Sequence, residues 1–187
     1  RDGTYHDVAG RSFRDFMSGS LEGFQGQLPG MGDWEDHMST LFPEVRLKKF
    51  LEMRGADGGP WRRIWALPAL WVGLLYCDEA LDAAWDLVKD WTVEEQEQLR
   101  ADVPKLALAT PFRNRTVRDI AREVLAISKT GLKRRARMSS MELDETHFLN
   151  PLHDTVNRGI TPAEEMLEKY RGEWNGSVEP AFKDYAY

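Results

Sequence analysis

Residues 42–63 read Phe42-Pro-Glu-Val-Arg-Leu-Lys-Lys-Phe-Leu-Glu-Met-Arg-Gly-Ala-Asp-Gly-Gly-Pro-Trp-Arg-Arg63. Successive side chains on a strand point to opposite faces, so residues two apart share one. Val45, Leu47, Leu51 and Met53 would therefore face a core. Glu44, Arg46, Lys48, Glu52 and Arg54 would share the other face. Lys49 and Phe50 interrupt the alternation and predict a bulge. A glycine-rich turn, Gly55 to Gly59, follows, and then the cluster Trp61-Arg62-Arg63. A sheet face carrying carboxylates and guanidiniums side by side suits a site that handles phosphate, carboxylate groups and a divalent metal. The same alternation is also what the solvated face of an antiparallel sheet carries.

Upstream of this stretch the chain reads as strand and turn. Thr4 to Val8 and Ser12 to Met17 predict a hairpin across Ala9-Gly10-Arg11. Gly19 to Gly32 is a glycine-rich loop of a length that often serves function. Asp33 is the expected N-cap of a short helix through His37.

Downstream the pattern turns helical. Trp61 to Tyr76 starts at a Pro and is expected to kink at Pro68. Leu81, Ala84, Trp85, Val88 and Trp91 recur at helical spacing, as do Val117, Ile120, Ala121, Val124 and Leu125. Thr161-Pro162-Ala163-Glu164 is a capping box with Pro at the first helical position. Met166, Leu167, Tyr170 and Trp174 continue one stripe. All these stripes are expected to be core. Strands followed by helices argue for an α+β fold rather than an alternating one.

Composition narrows the classes. The 187 residues suit one domain or a large part of one, and a net charge of −6 argues against a nucleic-acid partner. The basic run Lys133 to Arg137 closes a predicted helix, where cations suit the dipole. The longest apolar run, Trp65 to Tyr76, is too short for a bilayer, so no membrane partner is expected. Cys77 is the single cysteine. It allows no intrachain disulfide, which fits a reducing compartment and a cytoplasmic location. It is expected to be structural. The four histidines are scattered and are assigned no role.

Phe42 to Arg63, continued by Ala66-Leu-Pro-Ala-Leu-Trp-Val-Gly-Leu-Leu-Tyr76, resembles the glutamate–cysteine ligases of plants and many proteobacteria. Ser12 to Met17, Thr161 to Glu164 and Gly172-Glu-Trp174 agree with it. The string Leu51-Glu-Met-Arg-Gly-Ala-Asp-Gly-Gly59 makes the resemblance specific. It implies part of a glutamine-synthetase-like curved antiparallel sheet followed by a packed helical region. Residues 1–60 would be the strand and loop part of the catalytic sheet, and 61–187 the mainly helical remainder of the same domain. It also implies a ligase that uses ATP and magnesium to join the γ-carboxyl of glutamate to the amine of cysteine, the first step of glutathione biosynthesis. The chain is short for the family and resembles its C-terminal half. Its partner would be the missing N-terminal half, and the piece alone is expected to be inactive.

Amide synthesis from a carboxylate needs an activated acyl group, here a γ-glutamyl phosphate. Charge then builds on phosphoryl oxygens, which magnesium and arginine neutralise. Glu52 is the expected magnesium ligand, since this ion prefers hard oxygen donors. Arg54 is the expected catalytic and substrate-binding residue, because its planar fork grips phosphate or carboxylate in a bidentate way. Asp57, Trp61, Arg62 and Arg63 complete the substrate-binding set. Each also has an ordinary reading: Asp57 as a turn former, Trp61 as core, and Glu52 and Arg54 as partners in an ion pair. The alternative for the whole chain is a non-catalytic scaffold module that packs on a catalytic partner.

Overall fold

The computed structural model describes residues 3–56, 58–138, 140 and 142–186. They mix helices with small antiparallel sheets and fall into two compact units, Arg1–Ala56 and Asp57–Tyr187.

The first unit holds two short helices and one hairpin. Helix α1, Phe13–Met17, replaces the expected N-terminal hairpin. The Ser12 hydroxyl caps it by accepting from the Arg14 amide at 3.2 Å. Phe13 and Phe16 are three apart, so a helix puts both rings on one side, where they meet edge to face at 5.8 Å. Helix α2, Met31–Ser39, begins three residues earlier than expected. Gly30 is its N-cap, and Asp33 sits at the third helical position, its carboxylate accepting from the Gly30 amide at 2.8 Å. Asp33 thus supplies the one half of a capping box that needs no side chain at the N-cap.

The decisive stretch folds as strands β1, Val45–Leu47, and β2, Leu51–Met53. They pair antiparallel with Val45 opposite Met53, Arg46 opposite Glu52 and Leu47 opposite Leu51. The break at Lys49 and Phe50 is therefore a hairpin tip, not a bulge. The Lys48 amide donates to the Phe50 carbonyl at 2.9 Å across it. The alternation of faces holds, but the apolar side is not core. Leu47 is 79% exposed and Leu51 56%. The reason is architectural: a two-stranded ribbon supplies no second layer of its own to bury a face against.

The second unit is helical and closes its own core. Helix α3, Trp61–Ile64, and helix α4, Ala66–Leu75, are separated at Trp65. Pro68 explains that break. It has no N–H for the Ile64 carbonyl, and its ring crowds the same group, so the helical hydrogen bonding is interrupted one turn before it. Helix α5, Asp78–Val88, precedes α6, Val93–Leu106. A tight hairpin, β3 (Pro111–Phe112) and β4 (Arg115–Thr116), leads into the long α7, Val117–Arg135. Then come α8, Asn150–Arg158, α9, Pro162–Arg171, and α10, Glu179–Asp184.

Helices α4 and α7 cross at the centre. Ala69, Leu125, Leu132, Leu149 and Val156 form the buried cluster, with Leu70, Val72 and Phe148 against it. Two glycines set the crossing distance. A Cβ on Gly131 would stand 1.8 Å from the Gly73 carbonyl oxygen, and one on Gly73 would stand 2.3 Å from the Ser128 carbonyl oxygen. Ser128 is fully buried, and its hydroxyl donates to the Leu70 carbonyl at 3.0 Å, so no polar group is stranded there. The Arg118 Nε donates to the Val156 carbonyl at 2.7 Å and ties α7 to the end of α8.

The helical stripes fare unequally. Ile120 and Leu125 are buried as expected. The α5 stripe is not: Trp85 is 62% exposed, with Leu81 and Val88 also in water, while Ala80 carries the buried face. Small side chains win there because α5 approaches Gly131 closely, Ala80 Cβ lying 3.1 Å from where a Cβ on Gly131 would be. On α9, Met166, Leu167 and Tyr170 are exposed and only Trp174, beyond the helix, is buried. The Thr161–Glu164 capping box forms as expected, the Thr161 amide donating to the Glu164 carboxylate at 2.7 Å.

Candidate functional site

The charged face of the β1–β2 hairpin is built by cross-strand pairing. Arg46 and Glu52 stand opposite each other, and the Arg46 Nε donates to Glu52 Oε2 at 2.7 Å. One pair further along, the Arg54 amide donates to the Glu44 carbonyl at 2.8 Å, which brings these two residues level. The face thus runs Glu44 beside Arg54, then Arg46 beside Glu52. Opposite charges meet at the Arg46–Glu52 step, the favourable arrangement for directly opposed side chains.

Glu52 is ionised in this setting. The hydrogen bond from Arg46 holds its carboxyl below the ordinary 4.5. Partial desolvation opposes that shift, and the charges of Arg46, Lys48 and Arg54 add to it. Its partner is Arg46, not the Arg54 expected from spacing two residues along a strand. Arg54 is free of that pair. Its guanidinium lies over the Phe42 ring, 5.4 Å from the centroid, and its Nη1 is buried with no hydrogen-bond partner among the described residues. A buried guanidinium N–H without an acceptor is costly.

Glu44 joins the face as the alternation implied, and Phe42 joins it by geometry that spacing alone did not single out. The Glu44 carboxylate lies against the turn, since a Cβ on Gly55 would come 2.6 Å from Glu44 Oε2. Glycine at 55 is what lets the carboxylate approach the backbone. Phe42 opens the quoted stretch, but only the folded turn reveals it as a platform for Arg54.

Asp57 lies outside the described residues. The remaining expected residues sit on α3 of the helical unit. Trp61 is 63% exposed and meets Trp65 edge to face at 5.9 Å, so it is not core. Arg62 and Arg63 line a cavity of about 450 Å³ together with Arg158, Glu165 and Lys169. Arg63 Nη2 is 3.6 Å from Glu165 Oε2, and its Nε is buried without a partner among the described residues. Arg158 takes the other oxygen of Glu165. Arg158, Glu165 and Lys169 lie about a hundred residues from Arg62 in sequence, and no motif there announced them.

No group of three or more His, Cys, Asp or Glu side chains among the described residues is placed to hold a metal ion. Glu52, engaged by Arg46, is one hard oxygen donor and not a site by itself, so the remaining ligands would have to come from elsewhere. Cys77 is half-buried, and its thiol donates to the Glu79 carboxylate at 3.2 Å. No single helix among the described residues is long and apolar enough to cross a membrane.

The chain belongs to glutamate-cysteine ligase family 2 (GCS2), whose family model matches residues 3–184. It is 51% identical over 187 residues to the chloroplastic glutamate–cysteine ligase of Arabidopsis thaliana, covering 100% of this chain and 35% of that protein. It is 51% identical over 183 residues to the chloroplastic enzyme of Nicotiana tabacum, covering 98% of this chain and 34% of that protein. Over 187 residues it is also 51% identical to the chloroplastic glutamate–cysteine ligase A of Oryza sativa subsp. indica, covering 37% of it. The chain thus spans about a third of the length of these relatives, less than the half expected. Their names also overturn the cytoplasmic expectation, since they point to a plastid. Cysteine count carries redox information only, and a reducing interior is not peculiar to the cytoplasm.

Proposed function

We propose that this chain is a portion of an ATP-dependent glutamate–cysteine ligase, and that the β1–β2 face contributes to its reacting centre. The observation that carries the reading is Arg54. Its guanidinium lies over the Phe42 ring, its charge is felt by Glu52, and one buried N–H has no partner among the described residues. Family membership supplies the reaction class.

In the proposed reaction a γ-carboxylate oxygen of glutamate attacks the γ-phosphorus of ATP. The P–O bond to ADP breaks, and a γ-glutamyl phosphate forms. The cysteine amine then attacks the acyl carbon, phosphate leaves, and the amine loses a proton. Arg54 would donate to the phosphoryl or acyl-phosphate oxygens as charge builds on them, a contribution that grows toward the transition state. Arg46 holds Glu52 ionised and fixed, so a negative oxygen faces the same space. Magnesium bound by the whole protein would neutralise phosphate charge, and Glu52 would be one of its ligands. The sheet that carries this face is proposed to be the curved, glutamine-synthetase-like one, of which β1 and β2 are the part within the described residues. Arg62 or Arg63 would hold a substrate carboxylate.

The test is phosphate release by the complete protein with glutamate, cysteine and ATP, for wild type and Glu52→Gln. The reading expects turnover only when both amino acids are present, and loss of most of it in the variant with folding intact. Full activity in Glu52→Gln would remove that residue from the centre. No phosphate release by wild type would remove the ligase.

A further inference from the structure

The cavity of about 450 Å³ bounded by α3, α8, α9 and α10 carries more than the one substrate contact proposed for Arg62 or Arg63. We infer that it is a built binding site for a small anion bearing phosphate- or carboxylate-type oxygens, held jointly by Arg62, Arg63 and Arg158, with Lys169 at its side. The inference rests on the reading of Arg62 and Arg63 as anion-holding residues and extends it to residues on α8 and α9.

Four cations meet here, Arg62, Arg63, Arg158 and Lys169, against the carboxylates of Glu165, Glu168 and Asp184. The cavity is thus locally positive in a chain whose net charge is −6. How those charges are partnered matters more than their sum. Glu165 is shared: Arg158 takes Oε1, while Arg63 Nη2 is 3.6 Å from Oε2, beyond hydrogen-bond range. The Arg63 side chain is only 14% exposed, and its Nε has no partner among the described residues. Arg62 makes no ion pair or hydrogen bond among the described residues either. Lys169 is committed to Asp184 at 2.9 Å and lies over the Trp174 and Tyr185 rings.

Glu165 therefore acts as a strut that fixes two guanidiniums without satisfying Arg63. A largely desolvated arginine with unmade hydrogen bonds is costly by itself and gains most from an incoming oxyanion. Planar forks from different helices can grip separate oxygens of one tetrahedral or planar anion. Glu168 and Asp184 also line the cavity and would repel an anion, so binding must come from the arginines.

Isothermal titration of the complete protein with inorganic phosphate, and separately with L-glutamate, tests this without turnover. Wild type should bind one of the two, and which one says whether phosphate or carboxylate oxygens fill the site. Arg62→Gln and Arg158→Gln should each weaken that binding at least tenfold. Arg171→Gln, on the exposed side of α9, should leave it unchanged. Melting curves screen folding, and Arg158→Lys, which keeps the charge but loses the fork, should still weaken binding. Equal affinity in wild type and both glutamine variants overturns the site, as does failure of both probes to bind wild type. Binding that depends on Arg158 in a protein that makes no dipeptide would leave the site standing and remove the ligase. Turnover that ignores Arg158→Gln, with anion binding also unchanged, would do the reverse.

Discussion

The β1–β2 hairpin and the α4–α7 crossing use apolar residues in opposite ways. At the crossing Leu132 is 1% exposed, and glycines 73 and 131 let two backbones touch. On the hairpin, Leu47 and Leu51 stand in water while the side chains of Arg46 and Glu52 on the other face are only 37% and 34% exposed. The first region spends its sequence on a closed core. The second holds a register with few contacts and spends its sequence on an ordered row of charges. A lone two-stranded ribbon is marginal in water, so the order on that face is maintained by cross-strand pairing and by the turn at Gly55. The difference separates residues that make the fold from residues that the fold presents.

The sharpest way to break the comparison is at the crossing. Gly131→Val would drive side-chain atoms into the Gly73 carbonyl, which is backbone and cannot yield. Overpacking of this kind costs about 3 kcal/mol or more, and a circular-dichroism melt should show loss of the cooperative helical transition. Next comes Leu132→Ala, which opens a cavity in the buried cluster. It should cost about 3 kcal/mol by chemical denaturation. A loss under 1 kcal/mol would mean that the crossing is loosely packed.

A smaller effect is expected at Glu95. Arg113 holds it by two hydrogen bonds, at 2.7 and 2.8 Å, and Thr92 adds a third from its backbone amide at 2.9 Å. The pairing with Arg113, helped by that amide, lowers its pKa from the ordinary 4.5 to about 2. A depressed carboxylate stabilises above its unfolded value, and the gain is lost as pH falls through the folded one. The wild-type melting temperature should therefore fall between about pH 4.5 and 2. Glu95→Gln should start lower at pH 7 and lose less across that window; parallel curves for the two would contradict the assignment. The smallest effect belongs to Leu47→Ser on the hairpin, which should change stability by no more than about 0.5 kcal/mol.

Much of this was legible in sequence where local chemistry decides. The alternation of faces from Val45 to Arg54, the Thr161 capping box and the α7 stripe all depend on near neighbours, and each forms, although the apolar face of the hairpin meets no core and its break is a tip rather than a bulge. The family was legible for a different reason, the length of the Leu51 to Gly59 string. What the sequence hid depends on residues far apart. Arg46, not Arg54, pairs with Glu52 because a two-stranded register, not spacing along one strand, decides who stands opposite. Trp85 faces water because Ala80 fits against Gly131, a contact over fifty residues away. Arg158 and Lys169 carry no motif and acquire meaning only beside Arg62 and Arg63.

The most direct test of the central claim uses Arg54 and its neighbour at the hairpin tip. Phosphate release by the complete protein with ATP, glutamate and cysteine should fall by about 10²- to 10³-fold in Arg54→Gln, with an unchanged melting temperature. Lys49→Gln, at the tip of the same hairpin, should retain wild-type rates. Equal activity in Arg54→Gln and wild type, at equal stability, would contradict the account and reduce the charged face to a solvated surface.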